Sequence, residues 1–131
     1  MNEKEIVLDD YAFLVSETDE KGNIIFANDD FCAIAGFTVD ELIGKPHNIV
    51  RHKDMPKAAF KDLWATVKSG AIWTGYVKNS TKSGDYYWVY ATVFPTITSE
   101  GTKGFLSCRR KATVTEIQAH EKLYKELRAK E

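Results

Sequence analysis

The chain has 131 residues, of which 44% are hydrophobic, 12% aromatic and 28% charged, with a formal net charge of −1. Such a length makes one domain that buries about two thirds of its unfolded surface, and the composition excludes disordered and fibrous chains. Two cysteines exclude a disulfide scaffold and a four-Cys zinc site and fit a reducing compartment. The balanced charge argues against nucleic acid, although residues 1–20 carry a net −6 and residues 45–82 a net +6. No apolar run of ~18 residues exists to cross a membrane and no signal peptide opens the chain, so a cytoplasmic location is expected.

Residues 2–10 read as a short polar helix. Residues 12–19 (AFLVSETD) and 24–28 (IIFAN) alternate as strands, and the EKGN turn between them predicts a hairpin. Asn28 is placed as the N-cap of a short helix that ends at Gly36. Thr38 with Glu41 three residues on is a capping box for one further turn, closed by Gly44. Pro46 breaks the chain, and residues 47–55 have no clean period. From 55 to 70, Ala59, Phe60, Leu63, Trp64 and Val67 recur at helical spacing with lysines opposite. Residues 73–81, 86–96 and 103–111 then predict three strands in an antiparallel meander. Residues 112–131 predict a charged helix with Ile117, Tyr124 and Leu127 on one stripe. The order is an α+β domain: a five-stranded antiparallel sheet whose other face the short helices must cover, leaving an internal pocket.

No nucleophile elbow, zinc-protease, P-loop or dinucleotide-binding motif is present, and the three histidines and two cysteines make no zinc cluster. The chain is therefore expected not to be an enzyme. The densest polar stretch is PHNIVRHKDMP, residues 46–56, where Arg51, His52 and Asp54 stand between a proline-broken loop and a helix start. That placement suits a phosphate group. The alternative is a plain polar loop with an Arg–Asp ion pair and a capping Asp. On the strand WTGYVKN, period two puts Trp73, Gly75, Val77 and Asn79 on one face. A large aromatic, a missing side chain and an amide together suit the pocket of a planar ligand, and equally a core-facing Trp with Asn79 near a strand end.

Residues 23–70, together with WTGYVKNSTKSGDYYWVYATVFP, resemble the PAS sensors of bacterial aerotaxis receptors, the FAD-binding energy-taxis type. The likeness spans roughly residues 10–111, and PHNIVRH-x-DMP followed by W-T-G-x-V-K-N is its most specific part. It implies a PAS fold over 11–111, an N-terminal cap over 1–10 and a signalling or linker helix over 112–131. It also implies non-covalent FAD, and singles out Asn28, Arg51, His52, Asp54, Phe60, Trp73 and Asn79 as the positions that affect or form the flavin site. In that reading Trp73 and Phe60 flank the ring system and Asn79 bonds its polar edge. Arg51 and His52 meet the pyrophosphate or adenine end, and Asn28 orders a helix start. Lys53 departs from the family, which more often has Pro there, and predicts a less braced loop. The implied output is redox or oxygen state, passed to a chemoreceptor or other signalling partner. A homodimer through the terminal segments is expected, with Tyr124 and Leu127 exposed in the monomer. Three alternatives stand beside it. A blue-light sensor of the LOV type lacks its cysteine in residues 48–55. A haem gas sensor would need His47 or His52 turned inward. A cofactor-free dimerisation module needs no pocket ligand at all.

Overall fold

Alternation of apolar and polar residues makes Phe13–Asp19 a half-buried strand, β1, with Leu14, Ser16 and Thr18 on its buried side. A computed structural model of the protein describes residues 3–131. Asp19 accepts from the backbone N–H groups of Lys21 and Asn23, and Gly22 takes φ +89°, so the chain reverses into β2, Ile24–Ala27. The hairpin expected from the sequence is present, with a register shift between Glu17 and Thr18. The remaining strands are β3, Trp73–Ser80, β4, Tyr86–Ile97, and β5, Lys103–Lys111. They form the expected antiparallel meander. The sheet order is β2-β1-β5-β4-β3, closed by an antiparallel pairing of β1 with β5 that runs from Phe13↔Arg110 to Asp19↔Gly104.

Four short elements fill the crossover between the two halves of the sheet. Helix α1, Asp29–Ala35, is capped by Asn28 and ends on Gly36 at φ +80°. Helix α2, Val39–Leu42, opens with the Thr38–Glu41 capping box. The aperiodic stretch after Pro46 is a single 3₁₀ turn, His47–Val50. Helix α3, Lys57–Lys68, follows Pro56. Their apolar faces meet the inner face of the sheet around Leu14, Ile24, Phe31, Leu42, Val50, Val67 and Val89, each no more than 2% exposed. The total surface of 7912 Å² is close to the roughly 7,000 Å² expected for this mass.

Two expectations for the chain ends need correction. Residues 3–10 are not helical: Glu5 bridges to Tyr86, with Tyr86 N–H donating to Lys4 O and Ile6 N–H to Tyr86 O, Leu8 is buried, and the chain turns from Asp9 to Ala12. Residues 1 and 2, the start of the expected cap, lie outside the described residues. The last helix, α4, Val114–Ala129, is opened by a Thr113–Glu116 capping box and lies against the outer face of β3 and β4. Tyr124 is buried there, stacked on Trp88 with ring centroids 6.0 Å apart, and its hydroxyl donates to Tyr76 O at 2.6 Å. The stripe read as a free face is therefore covered by the chain's own sheet. Among the described residues, no helix is long and apolar enough to cross a membrane.

Candidate functional site

Between the inner face of the sheet and the crossover elements lies a cavity of about 640 Å³, within the roughly 300–1,000 Å³ of small-molecule pockets. Its floor is the small and polar middle of the sheet, with Val77, Asn79, Ala91, Val93, Ser107 and Arg109. The 3₁₀ turn contributes His47 and Asn48, helix α3 contributes Phe60, Leu63 and Trp64, and the β1–β2 turn contributes Gly22 at the rim. Small residues on central strands leave this space, because Ala91, Val93 and Ser107 cannot reach the helices opposite.

Arg109 dominates the polar end. It is 2% exposed, and its only hydrogen-bond partners among the described residues are neutral. Nη1 donates to Ser107 Oγ at 2.9 Å and to His47 Nε2 at 3.2 Å, and Nη2 donates to Ser16 Oγ at 3.0 Å. The guanidinium also lies 4.4 Å from the Phe31 ring centroid. Since the guanidinium only donates, Nε2 of His47 is an acceptor, and Ser16 Oγ donates to it at 2.8 Å. Burial, helped by the Arg109 and Arg51 charges, pushes His47 down to about 3, so the imidazole is neutral at physiological pH. Burial likewise pulls Arg109 down to about 10, still cationic at neutral pH. Arg109 Nε and Thr18 Oγ1 are buried without a partner. Among the described residues this cation has no carboxylate beside it, and with its orphaned Nε it makes this end complementary to an electron-rich guest, while Thr18, paired with Phe105, offers its orphaned hydroxyl farther along the sheet.

Of the seven residues singled out from the sequence, the structure brings Arg51, Phe60 and Asn79 to the cavity wall. The Arg51 guanidinium stacks 3.7 Å from the Phe60 ring centroid, and burial lowers its pKa. The other four lie outside the lining. Asn28 Oδ1 accepts from the N–H groups of Phe31 and Val15, and its Nδ2 donates to Phe13 O, so it ties α1 to β1. Trp73 shares the inner face with Val77 and Asn79, but its indole folds back over Gly75 and donates from Nε1 to Asp62 Oδ2 at 2.8 Å. It locks α3 to β3 beside the cavity.

His52 and Asp54 face away from the cavity. His52 is 1% exposed; its Nδ1 accepts from Asp54 N–H at 2.9 Å, so Nε2 is the ring donor and meets both Glu3 carboxylate oxygens at 3.0 and 3.1 Å. Asp54 Oδ2 accepts from Lys78 Nζ at 2.9 Å, and this hydrogen bond holds the carboxyl below its usual range. One imidazole and two carboxylates thus lie within 4.8 Å, yet the ammonium on Asp54 and the N–H on Nε2 fill the positions a cation would need. Neither cysteine lines the cavity. Cys32 lies on α1 and Cys108 on the outer face of β5, each with its thiol pushed up by burial.

Sequence reasoning missed Arg109, Ser107 and Thr18. It considered His47 only as an inward-turned ligand, and the 3₁₀ turn does bring it inward. A profile of the PAS fold matches residues 24–108, which is most of the chain. The chain belongs to the PAS fold family. This PAS domain is 50% identical over 122 residues to the aerotaxis receptor of Escherichia coli (strain K12), covering 93% of the chain and 24% of the receptor. The PAS domain of a protein from Colwellia psychrerythraea superposes with a TM-score of 0.61 at 24% identity, covering 79% of this chain and 90% of that one. The blue-light photoreceptor Aureochrome1 LOV, in its light state, superposes with a TM-score of 0.69 at 16% identity, over 86% and 88% of the two chains. These structural likenesses speak to the fold.

Proposed function

We propose that this PAS domain binds FAD non-covalently in the cavity and reports its redox state, as a sensory module, to a chemotaxis or other signalling partner. The observation that carries the reading is Arg109, a cation 2% exposed with no carboxylate partner among the described residues, at the polar end of a cavity walled by Phe60 and Arg51. The match to an aerotaxis receptor over 93% of the chain supports the sensory role. Flavin, when bound, supplies reversible redox chemistry in which the ring system gains negative charge or a proton.

The residues present fit such a group. Arg109 is placed to favour negative charge at the cavity's polar end, with its unpartnered Nε still available. Thr18 Oγ1, also unpartnered, offers a hydroxyl, and the Asn79 amide offers both a donor and an acceptor. Phe60 gives an aromatic wall, which Leu63 and Trp64 extend along α3. Neutral His47 holds the Arg109 guanidinium by accepting from it. That engagement also argues against an axial haem ligand, since Nε2 already faces a cation. The cavity wall carries no cysteine for LOV-type light chemistry.

The test is an absorbance scan of freshly purified protein, followed by heat release and identification of the chromophore. The expected result is an oxidised flavin spectrum with FAD, not FMN, in the supernatant. A colourless protein that also refuses added FAD overturns the reading and leaves an interaction module. A Soret band moves it to haem.

A further inference from the structure

We propose that Arg51–Pro56 is a two-sided connector, in which Arg51 faces the cavity while His52 and Asp54 fasten both ends of the chain to the domain's far side. Cavity occupancy would thereby be felt at the N-terminal segment and at α4. The proposal adds a regulatory route to the ligand-binding reading, and the hydrogen-exchange readout of its variants does not depend on that reading.

The segment is extended at Arg51, with φ −68° and ψ 128°, and it is pinned to β3 by a bridge between Arg51 and Asn79. Successive side chains of extended backbone point to opposite sides. Arg51 therefore lies over Phe60 on the cavity wall, while His52 turns away and is buried edge-on to Tyr86 at 6.0 Å between centroids. Its Nε2–H holds Glu3, and the next residues continue that attachment: Lys4 N–H donates to Asp85 Oδ1 at 3.0 Å, and the chain pairs with Tyr86.

The second arm starts at Asp54. Its carboxylate holds Lys78 of β3, and its backbone carbonyl accepts from Arg128 Nη1 in the last turn of α4. Just beyond, Glu131 Oε2 accepts from Ala58 N–H at 3.2 Å. The N-terminal segment and the C-terminal turn thus converge on one short stretch whose first member lines the cavity. That stretch is a hydrogen-bonded turn, in which Met55 N–H donates to His52 O at 3.1 Å. It contains no glycine, Pro56 closes it, and the Asp54 N–H bond to His52 Nδ1 stiffens it. A displacement of Arg51 is carried into this turn through the two hydrogen bonds on His52, from Asp54 N–H and from Met55 N–H.

The experiment is amide hydrogen exchange on the full 131-residue chain, read at residues 3–8, 84–88 and 121–131. Glu3→Ala removes only the outer partner, and is expected to speed exchange at Ile6 and Tyr86 at least tenfold with flavin retention unchanged. Arg51→Ala alters only the cavity side, and is expected to speed exchange at both termini at least tenfold; Arg51→Lys serves if that variant fails to fold. Wild-type exchange at the termini in the folded Arg51 variant overturns the connector, even where flavin is lost. Loss of flavin in Glu3→Ala also overturns it, because the latch would then belong to the ligand site. In the FAD-loaded wild type, exchange at both termini is expected to slow at least threefold, and no change with FAD bound counts against the proposal. A protein that takes no FAD sinks the flavin reading alone, since the variant data stand without it.

Discussion

Arg109 donates to Nε2 of His47 across 3.2 Å in the interior of the domain, where burial, helped by the Arg109 and Arg51 charges, keeps the imidazole from accepting a proton. Burial pushes His47 down to about 3 in the folded protein, against about 6.5 in an unfolded chain. Between those values the unfolded state binds a proton that the folded state refuses. Stability therefore rises with pH across this window and is lost as pH falls from about 6.5 toward 3. The loss from this group grows toward the acid end of the window. Denaturant unfolding at pH 7, 5 and 4 checks it, with His47→Asn expected to show a shallower decline than wild type. The Asp54 carboxyl, held low by its Lys78 bond, loses stability in the same direction in both proteins, so the difference isolates His47. Parallel curves would contradict the assignment.

Arg109→Met separates the ligand's demand for charge from the fold's demand for volume. A buried cation without a carboxylate is costly to hold, so replacing it with an apolar chain of similar length recovers desolvation energy. Against that gain, Ser16, Ser107 and His47 lose their donor. The two effects oppose each other, and the ligand-free protein is expected to change by less than about 2 kcal/mol. Flavin retention after gel filtration is expected to fall at least tenfold. Equal retention in a folded Arg109→Met protein would show that the guanidinium serves the fold alone.

The strands were legible because alternation and glycine turns mark them locally: β1, β2 and β5 fall within a residue or two of where the pattern places them. The β1–β5 pairing was not, since nothing local specifies which edge of the meander meets the hairpin. The cavity was half legible. Period two put Asn79 and Val77 inward correctly, but the same rule cannot see that Trp73 folds back over Gly75 and leaves the cavity to smaller neighbours. Arg109 carried a readable signal that was passed over. It shares the period-two face of Phe105 and Ser107, yet a paired Arg-Arg at a strand end suggests solvent. The stripe on α4 was correctly found and wrongly assigned, because an apolar stripe does not say whether its partner is the chain's own sheet or another molecule.

Asn28→Ala should weaken the fold without touching the ligand. The amide caps α1 through Phe31 N–H and also satisfies Val15 N–H and Phe13 O on the neighbouring strand. Loss of an N-cap costs about 1 kcal/mol, and stranding a partly buried strand N–H adds about as much again. A fall of about 2–3 kcal/mol in unfolding free energy is expected. The flavin content of the protein that remains folded should match wild type. Full stability with lost flavin would instead place Asn28 at the ligand.

Gly75 is required by its neighbour on the same strand face. A Cβ built there would stand 2.5 Å from Cη2 and Cζ2 of Trp73, well inside van der Waals contact. The indole cannot simply swing aside, because its Nε1 is bonded to Asp62 on α3 at 2.8 Å. Gly75→Ala is therefore expected to destabilise by about 1–3 kcal/mol through overpacking. Trp73→Phe forfeits the Asp62 hydrogen bond, worth about 1 kcal/mol, but removes the ring carbons that block the methyl. A double-mutant cycle by urea unfolding should then give a double variant more stable than the sum of the singles by at least about 1 kcal/mol. Strict additivity would mean that the β3 backbone, rather than the indole, accommodates the new methyl, and that Trp73 does not fix the spacing between α3 and the sheet.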